Sequence, residues 1–157
     1  MGKVLFIGKS GSGKTTLCQK LNEQDIRYRK TQMVEAYQAS IDTPGEYLEN
    51  PRFYKALIVS AADAGVVALV SDPTSAYLAI PPGFAKIFQK PVIGIVTKIL
   101  EAGVAQIERS RQELLRAKAE PVFLVDTPEG VGIEALAAYL EEHLKEKGTG
   151  VPGGGRT

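Results

Sequence analysis

Cysteine is nearly absent from this chain. Cys18 is the single thiol in 157 residues, so no internal disulfide can form and a reducing compartment is the natural setting. One turn into an expected helix, Cys18 reads as a small core residue rather than a nucleophile. An excess of one charge is missing too. The 19 Lys and Arg residues balance 18 Asp and Glu, and a formal net charge of +1 supplies no electrostatic footprint for nucleic acid or an anionic membrane. No apolar run is long enough to span a bilayer. The six tyrosines are scattered and form no stacking platform for single strands. The lone His143 falls on the last expected helix near Glu142 and Lys145, where a cation near a helix C-terminus explains it without catalysis. Phe6 occupies the position where a myristoylation signal needs Ser or Thr. The first strand begins almost at Met1, which leaves no room for a secretory leader, and the expected location is the cytoplasm.

What is present is glycine in one informative arrangement. Gly8-Lys9-Ser10-Gly11-Ser12-Gly13-Lys14-Thr15, followed by Thr16, matches the Walker A phosphate-binding pattern. The apolar run Val4-Leu5-Phe6-Ile7 before it reads as a buried strand, and Lys14 through Leu17 and Leu21 as the following helix. Glycines let the backbone bend so that several N–H groups converge on an anion, and the helix N-terminus adds the positive end of its dipole. Lys14 is placed to bridge β- and γ-phosphates, and Thr15 to hold Mg²⁺. The pattern implies a bound nucleoside triphosphate, ATP or GTP, with Mg²⁺.

A hydrophobic fraction of 44% and a charged fraction of 24% fit one soluble domain. Strand-like runs alternate with helical patterns, which predicts a three-layer α/β fold of the phosphate-loop, small-GTPase-like type: a mainly parallel six-stranded sheet with helices on both faces. Asn22 to Lys30 reads as loop, and Val34 to Ile41 as a short hairpin or two abbreviated strands. Helices are expected at Pro51 to Ala62, Gly103 to Lys118 and Gly132 to Lys145, with a short one after Pro81-Pro82-Gly83. Strands are expected at Gly65 to Val70, Pro91 to Val96 and Pro121 to Val125. The expected domain is 1–146, and Lys147 onward is glycine-rich with nothing to bury, which predicts a flexible tail over 147–157.

Three further segments belong with the phosphate loop. Asp42-Thr43-Pro44-Gly45 ends a short strand, where Asp42 fits Mg²⁺ coordination through water and the Gly45 N–H fits a γ-phosphate sensor. Glu46 is either a group that positions or deprotonates the attacking water or a solvent-exposed acid. Thr31, in the polar stretch before Asp42, could close over the metal and γ-phosphate, with Arg27, Arg29 and Lys30 as candidate cations; the alternative is a solvated basic loop. Thr97-Lys98 follows a strand in the manner of the Asn/Thr-Lys-x-Asp motif that reads guanine, but Leu100 stands at the aspartate position. Leucine cannot accept the guanine N–H groups, and each unpaired donor costs about 1–3 kcal/mol. Glu101 or Asp126 either substitutes for it or is a surface acid, while the Lys98 stem can pack on either purine.

Taken together these residues resemble the small phosphate-loop proteins of ethanolamine and propanediol utilisation, the EutP/PduV family. The likeness runs from Met1 to about Lys145. It is carried by Lys30-Thr31-Gln32 before Val34-Glu35, by Ile41 through Asn50, and by Ala56-Leu57-Ile58-Val59 with Ala61-Ala62-Asp63. Pro81-Pro82-Gly83-Phe84 and Lys90 through Lys98 complete it. Family members usually carry an aspartate where this chain has Leu100. The resemblance implies a role in bacterial microcompartment metabolism. It leaves three readings: a nucleotide switch read by a shell or cytoskeletal partner, an ATP-dependent phosphotransferase acting on acetate, or a nucleotide-stabilised scaffold for the shell. For the second, Arg27, Arg29 or Arg52 would hold the acceptor carboxylate. No nucleic-acid or membrane partner is expected.

Overall fold

In the computed structural model the described residues are 2–29, 34–40, 51–76, 78 and 80–149. They form strand β1 (Gly2–Gly8), helix α1 (Lys14–Arg29), β2 (Val34–Ser40), α2 (Pro51–Ala61), β3 (Val66–Ser71), a 3-10 turn (Phe84–Ile87), β4 (Val92–Val96), α3 (Val104–Arg116), β5 (Val122–Leu124) and α4 (Ile133–Thr149). The strands make one sheet in the order β2-β1-β3-β4-β5. Every pairing is parallel.

The alternation of side chains along each strand divides the core in two. Leu5, Ile7, Val67 and Leu69 face Leu57 and Ala61 of α2, Leu114 of α3, and Phe84 of the 3-10 turn. Val4, Phe6, Val66, Ala68, Ile93 and Ile95 face Leu17 and Leu21 of α1, and Ile133, Leu136, Leu140 and Leu144 of α4. Helices on both faces explain why β3 and β4 are buried along their whole length and read as continuous apolar runs. Cys18 lies in the second layer, 7% exposed, and burial pushes its thiol up to about 11, which suits a core residue rather than a nucleophile. Gly94 lets α3 approach β4: a Cβ there would sit 3.0 Å from Leu114 and 3.2 Å from Val122. Lys90 closes the C-terminal end of α2, donating to the carbonyls of Ala61, Ala62 and Ala64, where a cation also meets the negative end of the helix dipole.

Four expectations change. The sheet has five strands among the described residues, not six, and all are parallel. The hairpin expected over Val34–Ile41 is one strand, Val34–Ser40, paired with β1 from Gly2↔Val34 to Gly8↔Ser40, so the antiparallel edge is not formed there. Asn22–Arg29 is not loop but the second half of α1, because Glu, Gln and Arg are good helix formers even without an apolar stripe. The last helix runs on to Thr149, past the expected boundary at 146, and residues 150–157 lie outside the described residues.

Candidate phosphate-binding site

β1 ends at Gly8 in mid-sheet, and five residues later the chain re-enters as α1. The turn uses left-handed backbone at Gly11 (φ 81°) and Gly13 (φ 104°), a region where a side chain is strained. Ser12 N–H donates to the Lys9 carbonyl at 3.0 Å, and Leu17 N–H to the Gly13 carbonyl at 2.9 Å, so the helix ladder starts inside the loop. The first-turn amides of a 16-residue helix therefore stand at the loop. Lys14 is 6% exposed and folds back across the turn, its Nζ donating to the carbonyls of Gly8 (2.8 Å) and Lys9 (2.9 Å). Ser10, Thr15 and Thr16 are exposed around it, and Ser12 is buried. An ammonium, hydroxyls and helix-terminal amides are a donor set that fits a polyphosphate.

Thr97 and Lys98, at the end of β4, hold this loop from behind. Thr97 Oγ1 donates to the Ser12 carbonyl at 2.7 Å, and Lys98 Nζ to the Gly11 carbonyl at 2.7 Å. Lys98 also pairs with Asp72 at 2.8 Å. Its backbone is left-handed (φ 57°), an uncommon state for lysine. Asp72 was not singled out by the sequence reading. Burial raises its carboxyl pKa, but hydrogen bonds from Lys98 and Thr74 outweigh that and hold it below the usual 3.8. Its signal was an Asp-Pro-Thr-Ser turn directly after a fully buried parallel strand, where α/β sheets gather their polar groups. Beside it lies a small pocket lined by Lys9, Ser71, Asp72, Ser75, Ile80 and Glu113. Glu113, 4% exposed, accepts from Ser71 Oγ at 2.6 Å and from Ile80 N–H at 2.8 Å.

The loop after β5 answers one open point. Asp126 is not a surface acid: it is 3% exposed, and its two oxygens accept from the N–H groups of Leu100 and Glu129, each at 3.3 Å. Glu101 and Leu100 are exposed. His143 is not at a helix end, since α4 continues to Thr149; its ring stacks on Tyr139 with centroids 3.8 Å apart.

Thr31, Asp42, Gly45, Glu46 and Lys30 lie outside the described residues. The residues that bracket Asp42 are informative, since Ser40 pairs with Gly8 and brings the end of β2 to the phosphate loop. Arg27 and Arg29 fall in the last turns of α1, whose backbone is about 20 Å along the axis from Lys14 at 1.5 Å per residue.

A parallel sheet with this loop between its first strand, an interior one, and its first helix defines a phosphate-loop α/β protein of the GTPase-like class. Two solved structures show the same fold. Over 92% of this chain it resembles elongation factor SelB of Methanococcus maripaludis, determined with the GTP analogue GppNHp (TM-score 0.58, 18% identity), of which it spans 34%. Over 95% it resembles nucleolar GTP-binding protein 1 of Plasmodium falciparum (TM-score 0.59, 16% identity, 89% of that chain). Residues 1–142 match the family described as ethanolamine utilisation - propanediol utilisation. Propanediol utilization protein PduV of Citrobacter freundii is 37% identical over 140 residues, 89% of this chain and 93% of that protein. The Escherichia coli (strain K12) protein named "Probable acetate kinase EutP" is 32% identical over 153 residues, 96% of each. The chain belongs to the ethanolamine and propanediol utilisation family.

Proposed function

We propose that this member of the ethanolamine and propanediol utilisation family is a Mg²⁺-dependent nucleoside-triphosphate switch that hydrolyses ATP or GTP slowly and is read by a microcompartment shell partner. The observation that carries it is Lys14, buried and clasped by the Gly8 and Lys9 carbonyls at the N-terminus of α1. In this reading Lys14 leaves those carbonyls for the β- and γ-oxygens, and the amides from Lys9 to Thr15 hold the phosphates. Thr15 and Asp42 would hold the metal, and Ser40 beside Gly8 supports that role for Asp42. The metal would offset the charge that develops on the phosphates. Gly45 N–H senses the γ-phosphate, and Glu46 orients the acceptor. Thr31 would close over the metal and the γ-phosphate.

The printed name of the Escherichia coli relative favours a second reading, transfer of the γ-phosphoryl group to acetate. One experiment separates the two: turnover of ATP and GTP with and without acetate, assaying acetyl phosphate alongside free phosphate. The switch is expected to release phosphate slowly and equally in both conditions. Acetate-dependent acetyl phosphate from ATP would replace it with the phosphotransferase.

A further inference from the structure

The turn that follows β3 is fastened to the phosphate loop at two points, and the phosphate chemistry proposed above uses neither. At one, Lys98 Nζ spans from Asp72 Oδ2 (2.8 Å) to the Gly11 carbonyl (2.7 Å). At the other, Lys9 leaves the loop and donates to Ser75 Oγ at 3.0 Å. The turn itself is closed. Asp72 Oδ1 accepts from Thr74 N–H (2.9 Å) and Thr74 Oγ1 (2.6 Å), and Ser75 N–H returns to the Asp72 carbonyl at 3.1 Å. The Arg109 guanidinium of α3 donates to the Ser75 carbonyl and anchors the turn to the helix layer. The Asp72 side chain is 11% exposed and that of Lys98 27%, so their pair is shielded from salt and solvent more than a surface ion pair.

Lys9 and Gly11 flank Ser10, and the separation between them sets the curvature of the loop. A segment with three glycines, Gly8, Gly11 and Gly13, has many backbone states, and binding an anion must select one of them. Fixing Lys9 and Gly11 to one rigid turn removes that cost before the ligand arrives. The left-handed backbone of Lys98 is consistent with this: an unfavourable conformation is retained where a side chain must reach a particular place.

We infer that the Asp72–Ser75 turn is a positioning element for the phosphate loop, with Asp72 acting through Lys98 and Ser75 through Lys9. This rests on the phosphate-loop reading of the site. The test is titration of Mg-ATP into the full-length wild type, Lys14→Ala, Asp72→Asn, Lys98→Met, the Asp72→Asn/Lys98→Met double variant and Ser75→Ala, with thermal midpoints recorded for each. Asp72→Asn is expected to weaken Mg-ATP about tenfold, through loss of the carboxylate charge facing Lys98, and Ser75→Ala about threefold, through loss of the hydroxyl that accepts from the Lys9 ammonium. In the Lys98→Met background Asp72→Asn should add less than about twofold, because Asp72 acts only through Lys98. A merely structural Asp72 would instead give losses that multiply. Additive losses, or wild-type affinity in both Asp72→Asn and Ser75→Ala, overturn the inference. If Asp72→Asn does not fold, Ser75→Ala alone decides, and wild-type affinity there overturns it. Wild-type protein that binds no Mg-ATP, or Lys14→Ala that binds it normally, overturns the phosphate-loop reading itself and the turn's role with it.

Discussion

Leu100 is where the base would be read. Its side chain is 61% exposed, and its own N–H is held by Asp126, whose second oxygen serves Glu129. Asp126 therefore shapes this loop, and position 100 itself carries no carboxylate for a guanine to donate to. Leu100→Asp should raise the preference for GTP over ATP by about tenfold or more, since two guanine donors regain an acceptor. Competition titrations with the two nucleotides measure it, and an unchanged ratio would place the base elsewhere. The Asp72–Lys98 pair makes a second expectation at this scale. Asp72 is held below its usual 3.8, so its contribution to stability is fully present above that pH and is lost as pH falls through the lower folded value. Between pH 7 and pH 5 wild type and Asp72→Asn should therefore differ by a constant thermal shift, which narrows below about pH 4. A gap that persisted at pH 2 would mean that the charge on Asp72 is not what the pair uses.

Among the elements, those with strong chemical signatures were legible from the sequence and those set by long-range pairing were not. Val4–Ile7 of β1, Val66–Val70 of β3 and Val92–Val96 of β4 are continuous apolar runs because helices cover both faces. The phosphate loop declares itself because its glycines and lysine have fixed jobs. α1 was read too short because Asn22–Arg29 has no apolar periodicity, while its helical propensity is a weaker local signal. Val34–Ile41 reads as a short hairpin or two abbreviated strands because its apolar residues are few and interspersed with polar ones, and only the register with Gly2–Gly8 shows that Val34–Ser40 is one parallel strand. Asp72 escaped notice for the same reason: its partners Lys98 and Gly11 are remote in sequence and meet only when β3 and β4 pair. Gly94 lies at the tightest contact between these layers. Gly94→Val should push against Leu114 and Val122 and cost about 1–3 kcal/mol, lowering the thermal midpoint by roughly 2–4 °C for each kcal/mol. An unchanged midpoint would mean that α3 is free to move away from the sheet.

As a whole molecule the chain is a phosphate-loop protein of the ethanolamine and propanediol utilisation family. No described helix is long and apolar enough to cross a membrane, and no cluster of three or more His, Cys, Asp or Glu side chains placed to hold a metal occurs among the described residues. The elements converge on the loop: the C-terminal ends of β1, β2, β3 and β4 are level there through the pairs Gly8↔Ser40, Gly8↔Val70 and Ser71↔Val96. That convergence is the crevice where open parallel sheets bind their ligands. The most direct test is equilibrium titration of Mg-ATP and Mg-GTP into the wild type and into Lys14→Ala. Wild type is expected to bind, and the variant to lose at least about 100-fold in affinity through its lost charge-assisted contacts. Equal affinities in the two proteins would contradict the assignment of the phosphate site.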